Sequence, residues 1–173
     1  MIVFYKVMSR TKVVLLFLAY AVALTLLEFT YRYLDFVTRR NATPWTSPFI
    51  EELTGVFGGV ALMLPVAIWM AKHYRLDTFE WKRNVLLHLA AIPVVSVMHT
   101  TLNWGSRAVM FPIVGLGRYN YGDMPTRYFM ELPSDVIWYS MTVGLATLYY
   151  RQLRAVQLEK TLAKAQLHLP EPL

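Results

Sequence analysis

The chain has 173 residues, of which 56% are hydrophobic and only 16% charged, with a formal charge of +6 and no cysteine. An ordinary soluble domain carries about 25% charged residues, and the lack of cysteine excludes disulfides, thiolate metal sites and cysteine nucleophiles. The positive charge does not point to nucleic acid, because Lys and Arg lie mostly between and after long apolar runs, with no zinc-ligand spacing and no basic stripe bearing aromatic platforms.

Four such runs, at residues 13–33, 53–71, 85–104 and 128–150, approach the roughly 20 residues that a helix needs to cross a hydrocarbon core. The first has two readings. Lys6, Arg10 and Lys12 ahead of an apolar stretch, with Ala21-Val22-Ala23 behind it, fit a cleaved signal peptide. Continuation through Leu24, Leu26 and Leu27 fits an uncleaved anchor. The second run holds Gly55, Gly58 and Gly59, which let helices approach closely in lipid, and Pro65. Pro93 in the third reads as a kink. The expected fold is all-α: an integral membrane bundle of four transmembrane helices over residues 1–150, followed by a cytoplasmic linker helix over residues 151–173.

Orientation follows from the basic residues. Lys6, Arg10, Lys12, Lys72, Arg75, Lys82, Arg83, Arg151, Arg154, Lys160 and Lys164 would lie on one side, and Arg32, Arg39, Arg40, Arg107, Arg118 and Arg127 on the other. The richer side is expected in the cytoplasm, which puts both termini on the cytoplasmic face of an inner membrane. Trp45, Trp69, Trp81 and Trp104 fall near the ends of runs, as an interfacial belt would have them. The connections NATPWTSP (41–48) and PIVGLGRYNYGDMP (112–125) are too short for a folded external domain. A stimulus would therefore be sensed within or near the bilayer. Asn41-Ala42-Thr43 matches a glycosylation acceptor, a pattern common by chance.

Ionisable groups inside a membrane are costly and are candidates for sensing or binding. Glu28 and Arg32 share a face four residues apart and can pair. Glu131 and Asp135 share a face early in the fourth run, and Arg107 lies just beyond the third. His88 and His99 stand eleven residues apart on nearly one face, with Asn103 a turn further, so a polar stripe facing the bundle interior is expected. These groups either fix helix registry through hydrogen bonds or form a ligand or proton site; haem ligation by the histidines is a further alternative. No catalytic residues, metal site or cofactor are implied, and no glycine-rich phosphate cradle, GxSxG or HExxH occurs.

After Tyr150 the chain reads RQLRAVQLEKTLAKAQLHLPEPL. Ala155, Leu158, Leu162, Ala165 and Leu169 follow the 3-4-3-4 spacing of a coiled-coil seam, although an amphipathic helix lying on the membrane surface is also consistent with it. The stretch from Arg154 to Leu169, with Leu158-Glu159 and Leu162-Ala163-Lys164-Ala165-Gln166-Leu167, resembles the linker helix ("LE…LAxAQL") of LytS-like autolysin-sensor histidine kinases. In that family a multi-pass membrane region leads through such a helix to a phosphoacceptor motif of the type QxxPHFLFN. The resemblance covers about 16 residues and the general layout before them. It departs at Pro170-Glu171-Pro172-Leu173, where no phosphoacceptor follows, and His168 lacks the motif. The ATP-binding domain has no counterpart either, so the chain resembles the sensor half of a two-component kinase. That resemblance implies a homodimer in the bilayer, signal relay through the fourth helix, and a response regulator reached through the kinase half. A self-standing small membrane protein that binds a partner or lipid is the alternative.

Overall fold

A computed structural model describes residues 10–40 and 43–167. Lys6, Asn41, Ala42, His168, Leu169 and the final Pro170-Glu171-Pro172-Leu173 lie outside the described residues. Among those described, all regular structure is helical: α1 (Arg10–Thr38), α2 (Thr46–Gly58), a π-helical turn (Gly59–Met63), α3 (Leu64–His73), α4 (Trp81–Ile113) and α5 (Met124–Leu167). Two helical stretches, Thr46–His73 and Trp81–Ile113, are long and apolar enough to cross a membrane.

The π turn follows from Pro65. Proline has no N–H to donate one turn back, and the five residues before the α3 start relax into wider turns that carry the chain past it. The long helices α4 and α5 run on through Pro93 and Pro133 respectively. Their ends are set locally. Gly115, at φ +77°, closes α4 with a double hydrogen bond, Leu116 N–H to Phe111 O and Gly115 N–H to Pro112 O, a Schellman closure that needs a left-handed residue. Asp123 opens α5: its Oδ2 accepts from the Thr126 amide at 3.1 Å and the Thr126 hydroxyl at 2.7 Å, which holds its carboxyl below the usual range.

Burial along α4 is inverted relative to a helix on a water-soluble protein. Asn84, His88, Ser96, Thr100, Asn103 and Arg107 are buried, whereas Leu86, Leu89, Val94, Met98, Leu102 and Val109 are exposed. Apart from Ile92, Val95 and Phe111, the buried positions of α4 are polar and its large apolar side chains face outward, a distribution compatible with a lipid-facing helix.

The helices contribute to two compact units. One comprises residues up to Ala61 together with His99–Arg127; the other comprises Leu62–Met98 together with residues from Tyr128 onward. In the first, α1 packs on α2 through Phe29, whose ring meets Phe49 edge-on at 5.5 Å. In the second, Met63, Ala67, Ala71, Ile92, Val95, Tyr139 and Val143 form the core.

Candidate functional site

Each unit holds a polar cluster. That of the first unit is a row on α4, His99, Asn103 and Arg107, at successive spacings of four that stack side chains on one face. Opposite lies the glycine-rich face of α2. A Cβ at Gly58 would come within 2.7 Å of Asn103 Oδ1, and one at Gly55 within 3.4 Å of an Arg107 terminal nitrogen. The glycines thus supply the space that the polar row occupies. His99 Nε2 lies 3.2 Å from Gly55 O and 3.3 Å from Asn103 Nδ2, so it donates to the carbonyl in one tautomer and accepts from the amide in the other. Asn103 Oδ1 is buried with no partner.

Arg107 is 8% exposed. Its Nε–H donates to Thr54 Oγ1 at 2.9 Å, and its terminal nitrogens donate to Glu51 O at 2.7 Å and to the Tyr119 hydroxyl at 3.2 Å. Thr54 passes its own proton to Ile50 O at 2.8 Å. The loop after Gly115 returns Tyr119 and Tyr121 over the guanidinium, at 5.8 and 5.3 Å from its carbon. Phe111 packs against Tyr119 at 4.4 Å and steadies that return. Burial pushes the Tyr119 hydroxyl up despite the opposing charge of Arg107, which keeps it protonated. Arg127 covers the Tyr121 ring from its own position at 5.0 Å and donates Nε–H to Tyr121 O at 2.6 Å.

Arg32 shares a face with Glu28 and could pair with it. It pairs instead across to α2, with Glu51 at 2.5 Å and Glu52 at 2.8 Å. A local i,i+4 pair is worth only a few tenths of a kcal/mol, so two carboxylates from a packed neighbour outcompete it.

In the second unit, His88 is fixed from both sides. Tyr74 O lies 3.0 Å from Nε2 and can only accept, so Nε2 carries the proton, and Nδ1 accepts from the Tyr139 hydroxyl at 3.0 Å. Both ring nitrogens are thereby engaged by protein groups. Ser96 donates to Asp135 Oδ2 at 2.6 Å, and Asp135 is 3% exposed. At the far end of this unit Asp77 is held by Arg75, at 3.1 Å, and by Arg154 of α5. Partial burial raises the Asp77 carboxyl, but the Arg75 hydrogen bond and the two arginine charges outweigh it and leave it below the usual range. Asn84 Nδ2 donates to Arg75 O at 2.7 Å and ties the same loop to α4.

Of the residues singled out by sequence, His99, Asn103 and Arg107 share one cluster, and His88 and Asp135 lie in the other unit. Glu131 lies on α5 four residues before Asp135. Sequence reasoning missed Tyr119, Tyr121, Tyr139, Ser96 and Asp77. Tyrosine and serine give no signal until a packed neighbour is known; the run Tyr119-Asn120-Tyr121 shortly after Arg107 was the one available hint. No family model, curated protein or solved structure matches the chain.

Proposed function

We propose that the chain is the membrane-embedded input module of a two-component sensor histidine kinase, acting as a dimer in the inner membrane. Four helical stretches cross the bilayer: α1, Thr46–His73, α4 and the first half of α5, with both termini in the cytoplasm. The mostly polar buried face of α4 supports residence in lipid, as does the exposure of Trp45, Trp69 and Trp81 near helix ends; Trp104 lies inside α4, nine residues before its end.

The observation that carries the signalling reading is α5. It runs for 44 residues without interruption, about 66 Å at 1.5 Å per residue, whereas the hydrocarbon core is about 30 Å thick. One continuous helix therefore bears the buried Asp135 and Tyr139 and also the tail seam as far as Ala165. Leu158 and Leu162 on that seam are 61% and 55% exposed, free to meet their counterparts in a second copy. A packing change around Asp135 moves the tail as a rod. A response regulator would be reached only through a kinase half, because this chain supplies no phosphoacceptor motif.

The test exploits helical phase. A histidine-kinase catalytic half is joined after Leu167, and one to seven residues are inserted after Gln152. Autophosphorylation in native membranes should oscillate with insertion length at about 3.6 residues per cycle, and Leu158→Asp with Leu162→Asp should abolish it together with cross-linking at position 162. A flat profile rejects the relay. Reporter fusions at residues 78 and 120 should report opposite sides of the membrane; the same side for both rejects the topology.

A further inference from the structure

Arg107 and Arg127 are two guanidiniums that approach one tyrosine ring, at 5.3 and 5.0 Å from its centroid. Among the described residues neither forms an ion pair, while Arg32 in the same unit takes both Glu51 and Glu52. Glu52 lies within electrostatic range of Arg107 but is ion-paired to Arg32, so the two like charges held at one ring, one of them almost fully buried, are only partly compensated. Their donor capacity is also only partly used. Arg107 has five N–H groups, of which three are committed, to Thr54, Glu51 O and Tyr119. Arg127 commits its Nε–H to Tyr121 O, which leaves its terminal N–H groups for a further acceptor. The Tyr119 hydroxyl accepts from Arg107, so its own proton is available to donate outward.

We propose that Arg107, Arg127 and Tyr119 form a binding site for an oxyanion, a phosphate or carboxylate group, seated at the C-terminal end of α4 and the start of α5. The planar guanidinium forks match the paired oxygens of such a group, and a charge-assisted contact is roughly twice as strong as a neutral one. The site does not depend on the tail passing a signal to a kinase. Two sources carry this chemistry: the headgroup of an anionic lipid, or a free small anion. The neighbouring face of α2 and α4 offers an open apolar groove of about 410 Å³, lined by residues including Leu53, Phe57, Leu102 and Met110; Thr54, which holds Arg107, also borders it.

The full chain is purified in a neutral detergent and its thermal unfolding followed by tryptophan fluorescence. Two probes are titrated: sodium phosphate against sodium chloride at constant ionic strength, and phosphatidylglycerol against phosphatidylcholine in mixed micelles. A rise in midpoint with phosphatidylglycerol alone identifies a lipid headgroup as the source; a rise with phosphate as well identifies a free anion. In either case Arg127→Gln, a change at the less buried member, should weaken the half-saturating concentration at least tenfold while helical circular dichroism stays unchanged. Arg107→Lys, which keeps the charge and loses the fork, should weaken it comparably. No response to either probe in the wild type overturns the site, and so does a response that survives unchanged in Arg127→Gln. Should Arg107→Lys fail to fold, Arg127→Gln decides alone.

Discussion

The two units bury polar groups by opposite means. In the first, space is made by leaving side chains out: Gly55 and Gly58 open α2 so that Asn103 and Arg107 can lie against bare backbone. In the second, the cluster on α4 and α5 is filled by partners of matched chemistry, with His88 clasped between Tyr74 O and Tyr139 and Asp135 met by Ser96, although Asn84 Oδ1 and Thr147 Oγ1 elsewhere in that unit are buried without a partner. A glycine seam tolerates imperfect pairing, and Asn103 Oδ1 is in fact left without a partner there. A clasp in which every donor has its acceptor does not. Rigidity should therefore concentrate around His88 and Tyr139, and adaptability around the glycines.

The largest effect that would break this contrast is on the clasp. His88→Leu removes two hydrogen bonds and strands the buried Tyr139 hydroxyl and Tyr74 O. Stranding a buried partner costs about 1–3 kcal/mol, so a loss of about 2–4 kcal/mol is expected in detergent-to-denaturant unfolding. Asn103→Leu is nearly isosteric, removes an acceptor that already lacks a partner, and takes the Nδ2 contact from His99 Nε2, which still has Gly55 O within reach; it should cost less than half as much. Equal losses at the two positions would show that both units pair their polar groups to the same standard.

A smaller effect separates the glycines. Gly58→Ala sets a methyl 2.7 Å from Asn103 Oδ1, a contact that forces the carboxamide to move, whereas Gly144 and Gly105 have nothing within 4 Å of the corresponding position. Overpacking costs about 1–3 kcal/mol, while glycine to alanine in an open helix interior gains roughly 0.5–1 kcal/mol. Gly58→Ala should accordingly lower the unfolding midpoint, and Gly144→Ala and Gly105→Ala should raise it. A gain at Gly58 would mean that the seam has slack and that Asn103 is not held where it lies.

Much of the helical layout was legible because long apolar runs with few charges leave little choice of structure. That α4 and Thr46–His73 have the length and composition to cross a membrane was read in this way. The partnerships were less accessible. Glu28 looked like the natural mate of Arg32 because sequence displays only neighbours on the same helix, and the carboxylates that hold Arg32 arrive from another element. His88 and His99 share a face by spacing, yet His88 meets Tyr74 O and Tyr139 while His99 reaches Gly55 O and Asn103, since about three turns of helix suffice to change what is packed alongside. Tyr119 and Tyr121 reach Arg107 because the chain turns back through Gly115 and Gly117, both at φ +77°, left-handed residues that hydropathy does not register.

The smallest expected effect lies at the edge of the second unit, where Asp77 joins the loop between α3 and α4 to α5 through Arg154. Its side chain retains 21% exposure and that of Arg154 35%, and ion pairs accessible to water are worth only about 0.2–1 kcal/mol. The sign is nonetheless fixed. The Asp77 carboxyl is held below its ordinary value in the folded protein, so the folded state binds its proton less readily than the unfolded one. Its contribution is fully present above the ordinary carboxylate value of about 3.9 and is lost as pH falls through the lowered folded value. Asp77→Asn should therefore be slightly less stable than the parent at pH 7, and the gap should close on acidification below that range. Added salt should narrow it at pH 7 as well, because the pair is within reach of screening ions. The polar clasp around His88 is buried away from solvent ions and should show little salt response at pH 7, so a parallel salt series on His88→Leu sharpens the distinction. A gap at Asp77 that widens on acidification would reverse the assigned sign and dissolve the tether between the loop and α5.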